Sequence, residues 1–523
     1  DGWSEQVVPL SGAASSTPAD EAAAMAAHYQ EGLLSITTVS EAGQAVLWDL
    51  PAAASGWGQE EGEIWSWPVR SASLAEGVGR PAAQIDGDLR VHVLWHTGSP
   101  YGDALWYAQW LDTKWSAPVQ VVRPDEGIAR DPDLAVIGEH LHAVWSAGFD
   151  GGPEATVTYT SDASAASSWP LGRALPGPVS PRNAIGAHPA LTADLAGTVH
   201  AVYAVPINQY RGIYYTQSSD RGETWRASSL VFDAAVAGWA MVDDPAIAVD
   251  HDGTLYVAWV RQDLAGISRS RGLYVAQSDD GGERWSEPRF VSEGECENIT
   301  LVLAAGGGPH LLWQEAGSEH GVWESYSSDS GARWSLPSRV RGYAALEGAA
   351  GIATDGQGRL FLAGIQAEDG GRQALLTAKW ERSTQQWTID EPVLLPRAVT
   401  EATDVSLALE PDAGRLAAIV SARALSEGEG DEPVLLAMSR PVEPRGVGPE
   451  WLGDAQVAPT TQAQPTTMPS VTPQASVPAE APTSANGTVA VGPMTVPILS
   501  IGGIVLVALL VAGVLVVRGR ARL

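Results

Sequence analysis

The sequence predicts an all-β architecture of small repeated sheets, followed by one apolar helix close to the C-terminal end. Three observations lead to this prediction. A hairpin pattern returns at nearly regular intervals, and a second, more specific turn pattern returns in register with it. The chain also contains 21 Trp against 4 Phe, which indicates that one structural position repeatedly requires Trp.

The first repeat is a hairpin of two short apolar strands joined by a polar or glycine turn, and its second strand ends in Trp or Tyr. These aromatic residues recur at steps of 50, 58, 56 and 54 positions and are Trp95, Trp145, Tyr203, Trp259 and Trp313. Short strands with turn signals at this period are typical of blades or coils of β-structure. Weaker copies at 351–364 and 405–420, and a diverged copy near 22–39, bring the hairpins to eight.

The second repeat is a turn with the pattern Ser-x-Asp-x-Gly-x-x-Trp. Its Ser and Asp side chains can bind backbone N–H groups, and its Gly can adopt a positive φ. The three good copies consist of Ser218, Asp220, Gly222, Trp225, Ser278, Asp280, Gly282, Trp285, Ser327, Asp329, Gly331 and Trp334. Degenerate copies that keep the Trp occur at 110–115, 161–169 and 380–387.

This turn resembles the Asp-box, or bacterial neuraminidase repeat, of sialidase-like β-propellers, and its copies extend over essentially residues 1–440. The resemblance implies an ectodomain over 1–453 that is a β-propeller of about eight four-stranded blades, with six or seven as alternatives. In this family the boxes lie on the face opposite the active centre. The family includes sialidases, other glycan-active enzymes and many noncatalytic binders.

The ends of the repeat region predict how the ring of blades closes. The last blade has an inner pair at 405–420 and a third strand at 432–440, but no good Asp-box follows. The phrase WSEQVVP at 3–9 matches the strand that follows a box, as in WSEPRFV at 285–291. We therefore expect it to supply the missing strand and remove an exposed edge. Trp451 in PEWLGDAQV is the alternative source of that strand.

The C-terminal region predicts membrane attachment. Residues 454–494 are rich in Pro, Thr, Ala and Ser and contain few large apolar side chains, which indicates a disordered stalk. Residues 495–517 carry no charged side chain and would span a bilayer core of about 30 Å as a helix. The arginines of the tail 518–523 predict a cytoplasmic C-terminus, so the ectodomain would lie outside the cell. That orientation requires export, and we infer a signal peptide that has been removed or left out of this sequence.

Charge and motif content argue against several functions. A formal net charge of −31 is unfavourable for binding nucleic acid, which requires a basic surface. The single cysteine, Cys296, cannot form an intramolecular disulfide. No dinucleotide, phosphate-loop, nucleophile-elbow or zinc-protease motif occurs, so we expect neither a cofactor nor a metal.

The mouth of the propeller, where first strands begin and second strands lead into third strands, is the expected functional site. Sialidases clamp a sugar carboxylate with three arginines, because guanidinium groups bind carboxylates in a bidentate manner. The Arg-Ile-Pro motif that carries the first of these arginines is missing from this sequence. Candidates for a clamp are Arg80, Arg130, Arg211 and Arg261, and candidates for ligand binding are His188, Trp239, Asp244 and Glu315.

The sequence therefore favours a noncatalytic binder of a glycan or a cell-surface protein, anchored in the membrane. An exo-sialidase or other glycoside hydrolase is the alternative, because paired carboxylates for such chemistry could also meet at the mouth.

Overall fold

The computed structural model describes residues 22–442, except for 31–32, 41–44, 52–64, 67, 72–73, 75–76, 98–103, 112–113, 123–127, 138–139, 149–155, 162–168, 170–171, 178–185, 263–271, 304–307, 316–320, 355–358, 369, 382–383, 411, 413 and 426–430. Contacts divide the chain after Asp454, so all described residues belong to the first of two units. Every element in the strand order of the described residues is a β-strand. No helix among these residues is long and apolar enough to cross a membrane. The predicted stalk, membrane span and tail (454–494, 495–517 and 518–523) lie outside the described residues.

The strands of the described residues form eight antiparallel sheets. The first contains β1 (Ala22–Gln30), β2 (Leu33–Ser40) and β3 (Ala45–Pro51), and the short β4 (Val69–Arg70) follows in the chain. Blade I contains β5 (Ala82–Ile85), β6 (Val91–Thr97), β7 (Ala104–Leu111), β8 (Lys114–Trp115) and β9 (Val119–Val122). Blade II contains β10 (Ile128–Ile137), β11 (His140–Gly148), β12 (Thr156–Ser161) and β13 (Arg173–Ala174). Blade III contains β14 (Ala187–Ala193), β15 (Val199–Val205), β16 (Gly212–Ser218) and β17 (Ser229–Asp233).

The remaining blades follow in chain order. Blade IV contains β18 (Met241–Val249), β19 (Leu255–Gln262), β20 (Gly272–Ser278) and β21 (Arg289–Ser292). Blade V contains β22 (Cys296–Leu303), β23 (Pro309–Glu315), β24 (Val322–Tyr326) and β25 (Ser338–Arg339). Blade VI contains β26 (Gly351–Thr354), β27 (Leu360–Glu368), β28 (Arg372–Glu381), β29 (Gln386–Ile389) and β30 (Val393–Leu394). Blade VII contains β31 (Val399–Glu410), β32 (Arg415–Leu425) and β33 (Asp431–Pro441), and β4 completes it.

The seven blades form a closed ring around a central channel. The first strand of each blade contacts the first strand of the next, and β31 of blade VII contacts β5 of blade I. Apolar side chains pack between neighbouring blades: Ile419 and Leu435 of blade VII, for example, share a core with Val93 and Trp95 of blade I. No further blade stands between VII and I, so the described ring has seven blades, which is one of the alternatives to the eight that the sequence favoured. The diverged hairpin near 22–39 forms β1 and β2 of the three-stranded sheet, which is not one of the seven.

Blade VII obtains its outer strand from β4, which pairs antiparallel with β33. Ser66 N–H donates to the Ser439 carbonyl at 2.6 Å, and Ser439 N–H donates to Ser66 Oγ at 2.9 Å. The same two bonds join Ser286 to Gln277 in blade IV, at 2.9 and 3.1 Å. In the phrase WSWPVR at 65–70, Ser66 and β4 therefore take the place of the strand that follows a box in blade IV, and they close the ring.

This closure corrects the prediction that residues 3–9 supply the outer strand. The edge of β33 that those residues would need is occupied by β4. Residues 3–9 and the alternative Trp451 lie outside the described residues. Two phrases in the sequence begin with Trp-Ser near the N-terminal side of the ring, and the prediction chose the wrong one.

The three Asp-box turns share one hydrogen-bond pattern. In the first, Ser218 Oγ accepts from Gly222 N–H at 2.8 Å and donates to Asp220 Oδ1 at 2.7 Å, while Asp220 Oδ1 also accepts from Thr224 N–H at 2.9 Å. The boxes at 278–285 and 327–334 repeat these bonds. Hydrogen bonds from Thr224 and Ser218 lower the pKa of Asp220 to about 2. Since each box joins the third and fourth strands of its blade, the boxes lie at the end of the ring opposite the starts of the first strands.

Candidate functional site

The first strands of blades II to V share a backbone irregularity near their starts. In each, the register with the second strand shifts, which is a β-bulge. One non-glycine residue at each bulge has a positive φ: Asp131 (50°), His188 (46°), Asp244 (51°) and Asn298 (53°). L-residues adopt this conformation only at a cost in free energy, and such strain is concentrated at functional sites. All four residues line the central channel, as does Arg80, which precedes the first strand of blade I.

A cavity of about 890 Å³ occupies the channel and is lined by the first strands of all seven blades. Its charged and titratable polar lining comes from blades I to V and consists of Asp131, Asp133, Asp243, Asp244, Glu297, Arg80, His96 and His188. Blades VI and VII line it only with uncharged residues such as Ile352 and Leu407. The mouth therefore has a polar arc on one side, with more carboxyl groups than basic side chains, and an uncharged wall on the other.

His188 is the centre of a hydrogen-bond network at the mouth. Its Nδ1 lies 2.6 Å from Asp243 Oδ1, and its Nε2 lies 3.5 Å from Asp131 Oδ2. The backbone N–H of His188 donates to Ser146 Oγ at 3.0 Å, and that hydroxyl donates to Asp131 at 3.2 Å. Burial opposes protonation of the imidazole, but the hydrogen bond to Asp243 and the charges of Asp243, Asp131 and Asp244 outweigh it and raise the pKa of His188 to about 9. At neutral pH, His188 is a cation held between two carboxylates.

Replacing His188 with glutamine should reduce the loss of stability at alkaline pH. The folded pKa of about 9 lies above the ordinary value of 6.5, so the protonated imidazole stabilises the fold fully below pH 6.5. That contribution is lost as the pH rises through about 9. Melting temperatures recorded across this range should fall more steeply for the wild type than for His188→Gln. Equal slopes for the two proteins would contradict the assignment.

Two carboxyl groups in the cavity are destabilised in their charged form. Burial raises the pKa of Asp133 to about 6, although its oxygens accept N–H groups of Leu134 at 2.9 Å and Leu191 at 2.8 Å. Leu191 belongs to blade III, so the Asp133 side chain also joins blade II to blade III. Burial raises the pKa of Asp244 as well. A cation that enters the cavity would therefore be electrostatically favoured, and an anion disfavoured.

The four arginines predicted as a clamp lie in different places, and only Arg80 lines the cavity. Arg211 Nε donates to the Trp239 carbonyl at 2.5 Å. The guanidinium of Arg261 lies 4.7 Å from the centroid of the Trp239 ring. Arg130 is exposed beside the bulge of blade II. The described residues thus bring one of the four arginines to the cavity.

The candidates for ligand binding divide in the same way. His188 and Asp244 line the cavity, whereas Trp239 and Glu315 do not. Trp239 lies between blades III and IV, with its ring centroid 4.3 Å from that of Phe232 and 4.6 Å from that of Tyr274. Phe232, Tyr274 and Arg261 therefore pack against the Trp239 ring, on which a sugar was expected to stack. Glu315 is exposed at the end of β23.

Sequence reasoning did not select Asp133 and Asn298 as ligand-binding candidates. A signal for the bulge position was nevertheless present, because a proline follows it in blades II to IV (Pro132, Pro189 and Pro245), as Pro81 follows Arg80 in blade I. Proline disfavours the α conformation of the residue before it, and here it recurs next to the residues that line the mouth. Asn298 lacks this signal, since isoleucine follows it.

Comparison with known proteins gives one matching family model and a set of similar folds. Residues 139–399 match the family model described as the BNR repeat-like domain. No curated protein sequence matches the chain. Among solved structures, an ulvan lyase of a new polysaccharide lyase family is 12% identical, with a TM-score of 0.49 over 70% of this chain and 95% of that one.

Two further structures illustrate the breadth of the likeness. An α-L-arabinanase of Penicillium chrysogenum is 11% identical, with a TM-score of 0.41 over 72% of this chain and 98% of that one. The NanB sialidase of Streptococcus pneumoniae is 12% identical, with a TM-score of 0.40 over 72% and 70% of the two chains. These are likenesses of fold, and they assign no substrate to this chain.

Proposed function

Because the chain contains a sialidase-like β-propeller of BNR repeats, we propose that it is a noncatalytic receptor that binds a glycan, carried free or on a surface protein, at the propeller mouth. The polar arc of blades I to V around a cavity of about 890 Å³ is the observation that supports this proposal most directly. Carboxylate, amide and imidazole groups that converge in a concave site can bind the hydroxyl groups of a sugar and fix its orientation. The uncharged wall of blades VI and VII offers a surface for the apolar face of a sugar ring.

The alternative, an exo-sialidase or other glycoside hydrolase, has less support. A sialidase clamp needs three guanidinium groups at one point, and Arg80 is the one arginine of the described residues that lines the cavity. The other cation at the mouth, His188, already lies between Asp131 and Asp243. A ligand carboxylate would therefore meet five carboxyl groups and a single arginine among the described residues that line the cavity.

The proposal includes display of the propeller outside the cell. Its support is the sequence pattern of the C-terminal region, in which a Pro- and Thr-rich segment precedes the uncharged stretch 495–517 and the arginines of 518–523. The propeller would then be held away from the membrane by the stalk, with its mouth free to meet a surface polymer.

Binding to non-acidic glycans is the expected result when the purified full chain is applied to an array of neutral, amino and sialylated sugars. Asp131→Asn should weaken binding roughly 10- to 100-fold, since a lost charge-assisted hydrogen bond contributes roughly 1.5–3 kcal/mol. The control is Asp252→Asn, the same chemical change on an exposed turn of blade IV at the end of the ring opposite the mouth. It should leave binding unchanged. Intact cells that express the chain should retain the glycan until their surface is treated with protease.

Three outcomes would contradict the proposal. Release of free sugar from any glycan would identify a glycoside hydrolase. Absence of binding to every glycan would remove the receptor assignment. Retention of the glycan after protease treatment would contradict display at the cell surface.

A further inference from the structure

Arg80 extends across the mouth from blade I to blade V. Its Nη1 donates to Asn298 Oδ1 at 3.3 Å, although 218 positions separate the two residues. Blades I and V are not neighbours in the ring, because blades II to IV lie between them on one side and blades VI and VII on the other. The Arg80 side chain therefore spans the opening of the cavity.

The cavity that Arg80 lines also contains carboxyl groups of two further blades, Asp133 of blade II and Asp244 of blade IV. Burial raises the pKa of Asp133 in blade II and of Asp244 in blade IV, and the positive charge of Arg80 offsets part of that rise. Arg80 thus supplies positive charge to Asp133 and Asp244. His188 cannot fully supply it, because it is engaged by Asp131 and Asp243.

The backbone of Arg80 is fixed, but its side chain is weakly held. Gly79 N–H donates to the His96 carbonyl at 3.0 Å, and a Cβ on Gly79 would lie 2.4 Å from His96 Cε1, so the chain passes close to blade I here. By contrast, Arg80 is exposed, and its one hydrogen bond within the described residues is a long one to a neutral amide. An arginine side chain anchored in this way can leave the mouth without disturbing the fold.

We propose that Arg80 occupies a cation site in the free protein, and that a protonated amine of the ligand takes the place of its guanidinium between Asp133, Asp244 and Asn298. This inference rests on the proposed function, since it assumes that a glycan binds at the mouth. It names the chemical class of that glycan as an amine-bearing saccharide. Displacement of Arg80 without replacement would leave the carboxyl groups of the cavity facing one another, and a ligand amine restores the missing positive charge.

Calorimetric titration of the full chain with a glucosamine oligomer, at a pH just above the Asp133 pKa of about 6 so that this carboxyl group is ionised, tests this inference. The N-acetylated oligomer of the same length is the neutral control. We expect the amine-bearing oligomer to bind more tightly and to lose affinity with added salt. Arg80→Gln should strengthen its binding about tenfold, because the ligand no longer competes with the guanidinium. Arg284→Gln, at an exposed position in the Asp-box of blade IV, should leave binding unchanged.

The outcomes separate this inference from the proposed function. Weaker or unchanged binding in Arg80→Gln would overturn the cation site. Equal binding of both oligomers, still sensitive to Asp131→Asn, would also overturn it, while the glycan receptor would remain. Failure of the glucosamine oligomer to bind, when other glycans do bind, would reject the amine class alone. Absence of binding to every glycan would reject both.

Discussion

Trp65→Ala should open the ring and lower the free energy of unfolding by about 3–5 kcal/mol, the usual cost of truncating a buried aromatic residue. Trp65 is 6% exposed and packs in the core shared by blades VI and VII, which includes Phe361 and Met438. The guanidinium of the buried Arg440 lies 5.3 Å from the centroid of its ring. The loss would be a large share of the roughly 5–15 kcal/mol that separates folded from unfolded domains.

Trp3→Ala is the matched control for this experiment, because Trp3 begins the other Trp-Ser phrase of the N-terminal region. The edge of β33 is filled by β4, so Trp3→Ala should leave ring closure intact. Denaturant unfolding of the two full-length variants measures the difference. A large loss for Trp3→Ala with no loss for Trp65→Ala would return the closing strand to residues 3–9 and contradict closure of the ring by β4.

Local sequence signals predicted the repeated hairpins and the box turns well. Each depends on residues close together in the chain, as in the bonds among Ser218, Asp220 and Gly222. Ring closure depends instead on residues such as Ser66 and Ser439, which are 373 positions apart. A phrase that begins with Trp-Ser predicts an outer strand but not the blade that receives it, and this explains why the closing strand was misplaced.

The favoured number of eight blades differs from the seven of the described ring for a related reason. The pattern near 22–39 does form a hairpin, with Ala22–Gln30 paired to Leu33–Ser40. Membership of the ring, however, depends on contacts between blades, such as those of Ile419 with the core of blade I. A repeat count records how many hairpins exist and carries no information about which of them share a core.

The site was predicted in part. His188 and Asp244 were found because they stand near the start of a first strand, and the topology brings such positions to the mouth. The contact of Arg80 with Asn298 depends on the curvature of the ring, which no local pattern encodes. Arg211 could not be separated from Arg80 by sequence alone, because its involvement with Trp239 is a tertiary contact.

Gly282→Ala should destabilise the propeller more than Gly281→Ala, by about 1–3 kcal/mol, the typical cost of forcing extra volume into a packed site. Both glycines have positive φ, 73° at Gly281 and 86° at Gly282, so alanine at either position brings a similar backbone strain of about 1–2 kcal/mol. A Cβ on Gly281 meets no heavy atom within 4 Å, whereas a Cβ on Gly282 would lie 2.0 Å from Cε1 of Tyr215.

The Tyr215 ring has little room to move away. It is 3% exposed, its hydroxyl lies 2.7 Å from His200 Nδ1, and its ring packs edge-on against Trp285 with centroids 5.5 Å apart. Because Tyr215 belongs to blade III and Gly282 to the box of blade IV, the added methyl group would push two blades apart. Denaturant unfolding of the two single variants measures the extra loss, which should shrink in a Tyr215→Val background where the obstructing ring is gone. Equal losses for Gly281→Ala and Gly282→Ala would mean that the box turn fixes only its own backbone and does not help to hold neighbouring blades in contact.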